Sequence, residues 1–81
     1  MIYRDIIKGN YEIILSNHAR RQAKERGIYY FNIISTIMTG KMKCFGKNYV
    51  KFIKEYRRGK LICVGERKAR NLIKILTIEW G

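Results

Sequence analysis

The 81-residue sequence contains no proline, only two cysteines and a single histidine, and it has few acidic residues. The absence of proline-rich and low-complexity segments argues against a disordered chain, and 47% hydrophobic residues is typical of globular proteins. A chain of this length can bury one small hydrophobic core. We therefore expect a single domain that spans residues 1–81.

The two cysteines do not indicate a metal site. Cys44 and Cys63 form no CxxC motif and have no histidine near them in sequence, so a zinc ion would lack a ligand set. We expect two reduced, partly buried thiols, and neither a metal ion nor another cofactor.

No segment is typical of export or of membrane insertion. The stretch MIYRDIIKGNYE carries charges and lacks the apolar run, roughly 7–15 residues long, of a secretory signal. The longest apolar runs elsewhere are too short to cross a bilayer. We therefore expect a cytoplasmic protein without membrane association.

The scarcity of acidic residues leaves a large positive charge. There are 18 Lys and Arg residues against 6 Asp and Glu residues, which gives a formal net charge of +12. Such an excess favours a polyanionic partner, RNA or another nucleic acid, although a merely solvated basic surface remains the alternative. A membrane surface is a weaker candidate, because no Lys/Arg-rich segment has a large apolar face opposite its charges.

The hydrophobic pattern of the first half predicts helices around one strand. Ile2, Tyr3, Ile6 and Ile7 are spaced as in a short helix that Gly9-Asn10 would end. We then predict a strand over residues 11–15, a helix from about 18 to 26 behind two N-cap residues, and a second helix over 30–39.

After Gly40 the pattern changes to that of strands. We predict strands over residues 49–57, 61–64 and 72–80, with the segment GERKARN as a loop before the last one. The fold class is therefore α+β. Two or three helices of the N-terminal half would pack on one face of an antiparallel sheet of about four strands.

The residues around the only histidine resemble the motif of a known family. Its members, called domain of unknown function 4258 (DUF4258), end a strand in Ser-x-His-Ala and close the following helix with Arg-Gly-Ile. Here the matching residues, in order, are Ser16, His18, Ala19, Arg21 or Gln22, Arg26, Gly27 and Ile28. The resemblance covers roughly residues 11–80.

The resemblance implies a fold like that of the RelE and barnase-like group of small ribonuclease toxins. In that group two helices pack on an antiparallel sheet, and the chemistry lies on the open sheet face and the adjoining helix. Such a protein would act on RNA or on the ribosome. An acidic antitoxin protein would be its natural partner, because complementary charge speeds association.

Metal-independent RNA cleavage needs a base, an acid and cations around the phosphate. His18 is the candidate base or acid, because an imidazole exchanges protons near neutral pH. Arg21 lies three positions further on, on the same helix face as His18. Arg21 and Lys51 are the candidate catalytic cations. Alternatively, His18 only hydrogen-bonds locally and packs on the strand. Arg26, the second cation matched to the family, is a candidate for nucleic-acid binding, with a role in bracing the helix end as its alternative, because it is eight residues from His18.

The strand over residues 49–57 alternates between two kinds of side chain. Val50, Phe52, Lys54 and Tyr56 share one face, while Tyr49, Lys51, Ile53, Glu55 and Arg57 share the other. If the second face is open, Lys51 and Arg57 can hold phosphate while Tyr49 stacks on a base, as in single-stranded RNA sites. The alternative is the solvated side of an amphipathic strand.

Two arginines of the predicted loop, Arg67 and Arg70, are further candidates for nucleic-acid binding, with a solvated turn as the alternative. Two functions are therefore compatible with the sequence. One is a metal-independent ribonuclease of the RelE-like toxin type. The other is a non-catalytic module on the same scaffold, which binds nucleic acid or protein and inhibits another machine. The sequence leaves the oligomeric state open.

Overall fold

The computed structural model of the chain describes residues 6–81 and shows an α+β fold with two helices. Its elements, in chain order, are β1 (Ile6–Lys8), β2 (Tyr11–Leu15), α1 (Asn17–Glu25), α2 (Tyr30–Thr39), β3 (Lys41–Phe45), β4 (Tyr49–Tyr56), β5 (Gly59–Ala69) and β6 (Leu72–Trp80). The predicted helices at 18–26 and 30–39 and the strands at 11–15, 49–57 and 72–80 are confirmed to within a residue or two. Neither helix is long and apolar enough to span a membrane.

The strands form one sheet in the order β1-β2-β6-β5-β4-β3. The pair β2–β6 is parallel, with Ile13 opposite Ile73, and the other neighbours are antiparallel. The expectation of about four strands is therefore wrong, and the sheet is mixed rather than purely antiparallel. The parallel pair arises because the chain runs through both helices and three strands before β6 returns beside β2.

The helix predicted over residues 1–8 is wrong for its last part. Ile6–Lys8 is an edge strand, paired antiparallel to β2 with Lys8 opposite Tyr11. Gly9 turns the chain between them at φ +60. A short apolar run fits a helix or a strand equally well, and here pairing with β2 decides. The rest of that prediction, residues 1–5, lies outside the described residues.

The second half of the sheet is larger than the sequence indicates. β3 was not predicted, because it is an exposed edge strand without an apolar stripe. β5 continues to Ala69, so most of the segment predicted as a loop is strand. Irregularities in the pairing of β5 with β6, at Val64/Gly65 and at Arg67/Ala69, let this strand bend while it stays paired.

Both helices pack on the same face of the sheet, and the core lies between the two layers. Val50 and Phe52 of β4 are buried there, while Tyr49 stays 40% exposed, which confirms the predicted faces of this strand. The core residues from the helices and from the sheet are Ile13, Leu15, Ala19, Ala23, Ile28, Ile33, Ile37, Val50, Phe52, Leu61, Cys63, Ile73, Ile75 and Ile78. We call the opposite side, which neither helix covers, the open face.

The two cysteines differ in environment. Both are free thiols, but Cys63 is buried under the helices and Cys44 is exposed on β3. The expectation of two partly buried thiols is therefore wrong in detail, because each sits at one extreme.

Candidate nucleic-acid interface

Helix α1 covers an edge of β6 that the neighbouring strand leaves open. β2 ends at Leu15, and the Ser16 amide still donates to the carbonyl of Ile75 at 2.9 Å. Further along β6, the Gln22 side-chain oxygen accepts a hydrogen bond from the Ile78 amide at 3.0 Å. The Arg26 guanidinium donates to the Ile78 carbonyl at 3.2 Å. Side chains of α1 and of Arg26, the residue that follows it, therefore take the place of the backbone partners of a missing strand.

Several residues of the family-like motif hold α1 in this position. The Ser16 hydroxyl caps the helix by accepting from the Ala19 amide at 3.0 Å, and it contacts the Leu76 carbonyl at 3.4 Å. Gly27 ends the helix region at φ +66, where a side chain would be strained. Arg26, predicted to bind nucleic acid, has its guanidinium on the sheet edge. This is the bracing role that the sequence left as its alternative.

His18 lies on the solvent side of α1. It is exposed and makes no hydrogen bond to any residue of the described part of the chain. The structural alternative, in which its ring packs on a strand, therefore receives no support. Arg21, one turn further on, is exposed as well.

The predicted catalytic set is divided between the two sides of the sheet. His18 and Arg21 belong to the helix layer, whereas Lys51 projects from β4 on the open face. β5 separates β4 from β6, which adds roughly 10 Å across the sheet. The structure therefore brings Arg21 near His18 along the helix but does not bring Lys51 to them.

Lys51 instead belongs to a group of side chains from β3 and β4. Lys43 lies directly opposite Lys51 in the pairing of these strands, and Phe45 lies opposite Tyr49. The Phe45 and Tyr49 rings stack, with centroids 5.6 Å apart and planes inclined by 22°. The Lys51 ammonium lies 5.6 Å from the centroid of the Phe45 ring. We call Lys43, Phe45, Tyr49 and Lys51 the aromatic–lysine cluster.

The charge of this cluster is not neutralised within residues 6–81. No carboxylate of residues 6–81 lies within 4 Å of Lys43 or Lys51, and Glu66, which lies opposite Tyr49 on β5, forms an ion pair with Lys68 at 2.8 Å. Like charges directly opposite on neighbouring strands are destabilising. Two lysines opposite each other on neighbouring strands, beside exposed rings, therefore form a place where an anion with a flat aromatic part would be stabilised.

The remaining predicted residues are spread around the sheet. Arg57 lies in the exposed turn after β4, eight residues from Tyr49 and hence roughly 26 Å along the strand direction. Arg67 is exposed and lines, with Tyr49, a small cavity of about 50 Å³. Arg70 lies in the exposed turn between β5 and β6. Arg67 lies opposite the buried Ile73, on the helix side of the sheet, so the structure separates both Arg57 and Arg67 from the cluster.

Two members of the cluster, Lys43 and Phe45, were missed at the sequence level because β3 itself was missed. A signal was present: in KMKCF the residues Lys41, Lys43 and Phe45 alternate with Met42 and Cys44, the pattern of a strand with one cationic face. Within residues 6–81, no three His, Cys, Asp or Glu side chains form a group suited to a metal ion.

No family model, no curated protein and no solved structure matches this chain. The resemblance to the DUF4258 motif and to the RelE and barnase-like toxins therefore stays a prediction.

Proposed function

We propose that the protein binds single-stranded RNA across the open face of its sheet, with the aromatic–lysine cluster as the central contact. The observation that carries the proposal is the stacked Phe45–Tyr49 pair beside two cross-strand lysines without a described carboxylate partner. Aromatic rings that accept bases, next to cations that follow the backbone, are the features of single-stranded nucleic-acid sites.

The aromatic rings favour a single strand over a duplex. The bases of a duplex are stacked on each other, so its backbone offers phosphates but no base face to Phe45 or Tyr49. These rings are 42% and 40% exposed, and a base could extend their stack. The net charge of +12 adds long-range attraction for any polyanion. The preference for RNA over DNA follows from the family resemblance alone.

Loss of a stacking ring tests the proposal. We expect Tyr49→Ala to weaken binding of a fluorescent 12-nucleotide oligouridine about tenfold, since each base–aromatic stack contributes about 1–3 kcal/mol. The matched control is Phe31→Ala, which removes a ring that is 69% exposed on α2, in the other layer. Equal affinities of wild type and Tyr49→Ala, or equal losses in both variants, would contradict the proposal.

Salt dependence provides a second measure of the same site. Each phosphate contact on a single strand contributes about 0.7 to the slope of log affinity against log salt. The double variant Lys43→Gln/Lys51→Gln should therefore reduce this slope by about 1.4. Arg21→Gln/Lys24→Gln, which removes equal charge from α1, should leave it nearly unchanged. Competition with DNA of the same sequence and with duplex RNA reports the preferred nucleic acid.

A second candidate function is RNA cleavage without a metal ion. It is favoured by His18, an accessible imidazole near Arg21 that no described residue hydrogen-bonds. The test is incubation with total RNA and with ribosomes in the presence of a chelator. If cleavage occurs through this residue, His18→Ala abolishes it and leaves RNA affinity intact. Absence of cleavage of every RNA leaves the binding module as the function.

A further inference from the structure

A wide groove of about 840 Å³ lies between the two helices, away from the open face. One wall is formed by α1 and the other by the start of α2 and the turn before it. The described residues that line it include Leu15, Arg21, Lys24, Ile28, Tyr29 and Ile33.

The groove combines an apolar floor with a cationic wall. Leu15, Ile28 and Ile33 contribute aliphatic side chains, and they are buried members of the core that also reach this surface. Arg20, Arg21 and Lys24 lie along one side of α1, and no acidic residue is among the described lining residues. The groove is therefore matched to a ligand that is apolar on one side and negatively charged beside it.

An exposed aromatic ring extends the opposite wall. Tyr29 is 76% exposed and lines the groove at the start of α2, beside the half-buried Tyr30. Tyrosine and arginine are the residues most often found at the centres of protein interfaces, because they combine apolar contact with hydrogen bonding. The aliphatic floor between the helices matches apolar side chains better than it matches the polar ribose and phosphate groups of RNA, so this groove suits a polypeptide better than RNA.

We infer that this groove binds an acidic amphipathic helix of a partner protein. Charge complementarity selects the occupant: carboxylates would face Arg21 and Lys24 while apolar side chains enter between the helices. The nine residues of α1 extend roughly 14 Å, so a partner helix lying alongside it makes contact over two to three turns. Its apolar anchors should therefore recur at positions i, i+3 or i+4, and i+7.

A second copy of this chain is a poor occupant. Two molecules of net charge +12 repel each other, and each sequence has only six acidic residues to place opposite the cations. The inference does not depend on RNA binding, because the groove and the aromatic–lysine cluster lie on different layers of the fold. Failure of either proposal therefore leaves the other intact.

Selection from a displayed library of helical 14-residue peptides tests the inference. The bait is the full chain, with heparin present to mask general polyanion binding. We expect the enriched peptides to carry Asp or Glu beside an apolar stripe. Their affinity should fall about tenfold or more for Arg21→Glu/Lys24→Glu, because two attractions become repulsions. The matched control Arg57→Glu/Lys60→Glu makes the same charge change in the distant β4–β5 hairpin and should keep the affinity.

A pair of aromatic variants tests the groove independently of charge. Tyr29→Ala should weaken the selected peptides at least fivefold, whereas Phe31→Ala, two residues away and outside the groove lining, should not. Circular dichroism and urea denaturation establish that each variant is folded. Peptides without acidic residues, equal losses in the control pairs, or self-association of the protein in place of peptide binding would overturn the inference.

Discussion

The side chain of Gln22 and the backbone of Ile78 form the joint between α1 and the sheet. The side-chain oxygen Oε1 of Gln22 accepts a hydrogen bond from the Ile78 amide at 3.0 Å, at a point of β6 that lies beyond the end of β2. A buried amide without an acceptor is costly, so this contact favours one position of the helix along β6. The Arg26 guanidinium adds a second hydrogen bond to Ile78, because it donates to the carbonyl oxygen of that residue.

Removal of this joint should destabilise the fold. We expect Gln22→Ala to lower the free energy of unfolding by about 1–3 kcal/mol, because the Ile78 amide loses its partner. Urea denaturation measures the change. Arg21→Ala, on the same helix but on its solvent side, should change stability by less than about 0.5 kcal/mol. A stable Gln22→Ala protein would show that water or another group satisfies the amide.

The cross-strand pair Lys43–Lys51 predicts opposite effects on stability and on binding. Lys43→Glu turns a like-charge pair into an attractive one, so we expect a gain of about 0.2–1 kcal/mol in stability together with weaker RNA binding. Lys41→Glu makes the same charge change on the same strand, but its partner across the sheet is Ile53. It should not share the gain in stability. Urea denaturation and fluorescence anisotropy at one salt concentration measure both quantities.

Gly40 occupies a position without room for a side chain. A Cβ atom there would meet the Thr36 carbonyl oxygen, and it would lie 2.6 Å from the carbonyl oxygen of Ile53. Both atoms belong to paired backbone and cannot move away cheaply. We expect Gly40→Ala to cost about 3 kcal/mol of unfolding free energy or more.

The comparison variant for Gly40 is Gly27→Ala. The space around Gly27 is open, but its φ of +66 strains any L side chain, at a cost of about 1–2 kcal/mol. We therefore predict that Gly40→Ala lowers the free energy of unfolding more than Gly27→Ala does, as measured by urea denaturation. A smaller loss at Gly40 would mean that the junction between α2 and β3 can shift.

Burial raises the pKa of the Cys63 thiol from 9.0 to about 12. Between these values the unfolded chain releases a proton that the folded protein keeps, so stability falls as pH rises above about 9. The contribution approaches a loss of about 1.4 kcal/mol per pH unit. We expect wild type to lose stability faster than Cys63→Ala over this range, and the same slope in both proteins would argue against burial as the cause.

The helices and the central strands could be predicted from the sequence because their hydrophobic patterns are local. The apolar stripe of α2 and the continuous apolar run of β6 each predict their element without reference to any partner. The alternation along β4 also gave the correct assignment of Tyr49 and Lys51 to one face. Half of the proposed RNA-binding cluster was therefore accessible from sequence.

The two edge strands of the sheet could not be predicted from local sequence patterns. β1 and β3 are strands because a neighbour supplies hydrogen bonds, and their own residues carry a weak or misleading pattern. For the same reason Arg67 of β5 was assigned to a loop. Phe45 and Lys43 could enter the site only after the pairing of β3 with β4 was known.

Composition and local periodicity by themselves determined the basic charge, the two helices and the alternating faces, because these depend on residues close together in the chain. Only the tertiary structure decided which side chains meet. It placed Lys51 beside Phe45 rather than beside His18, and it turned Arg26 toward the edge of β6. Such contacts depend on strand order and on layer, which are set by long-range pairing and by the burial of the core.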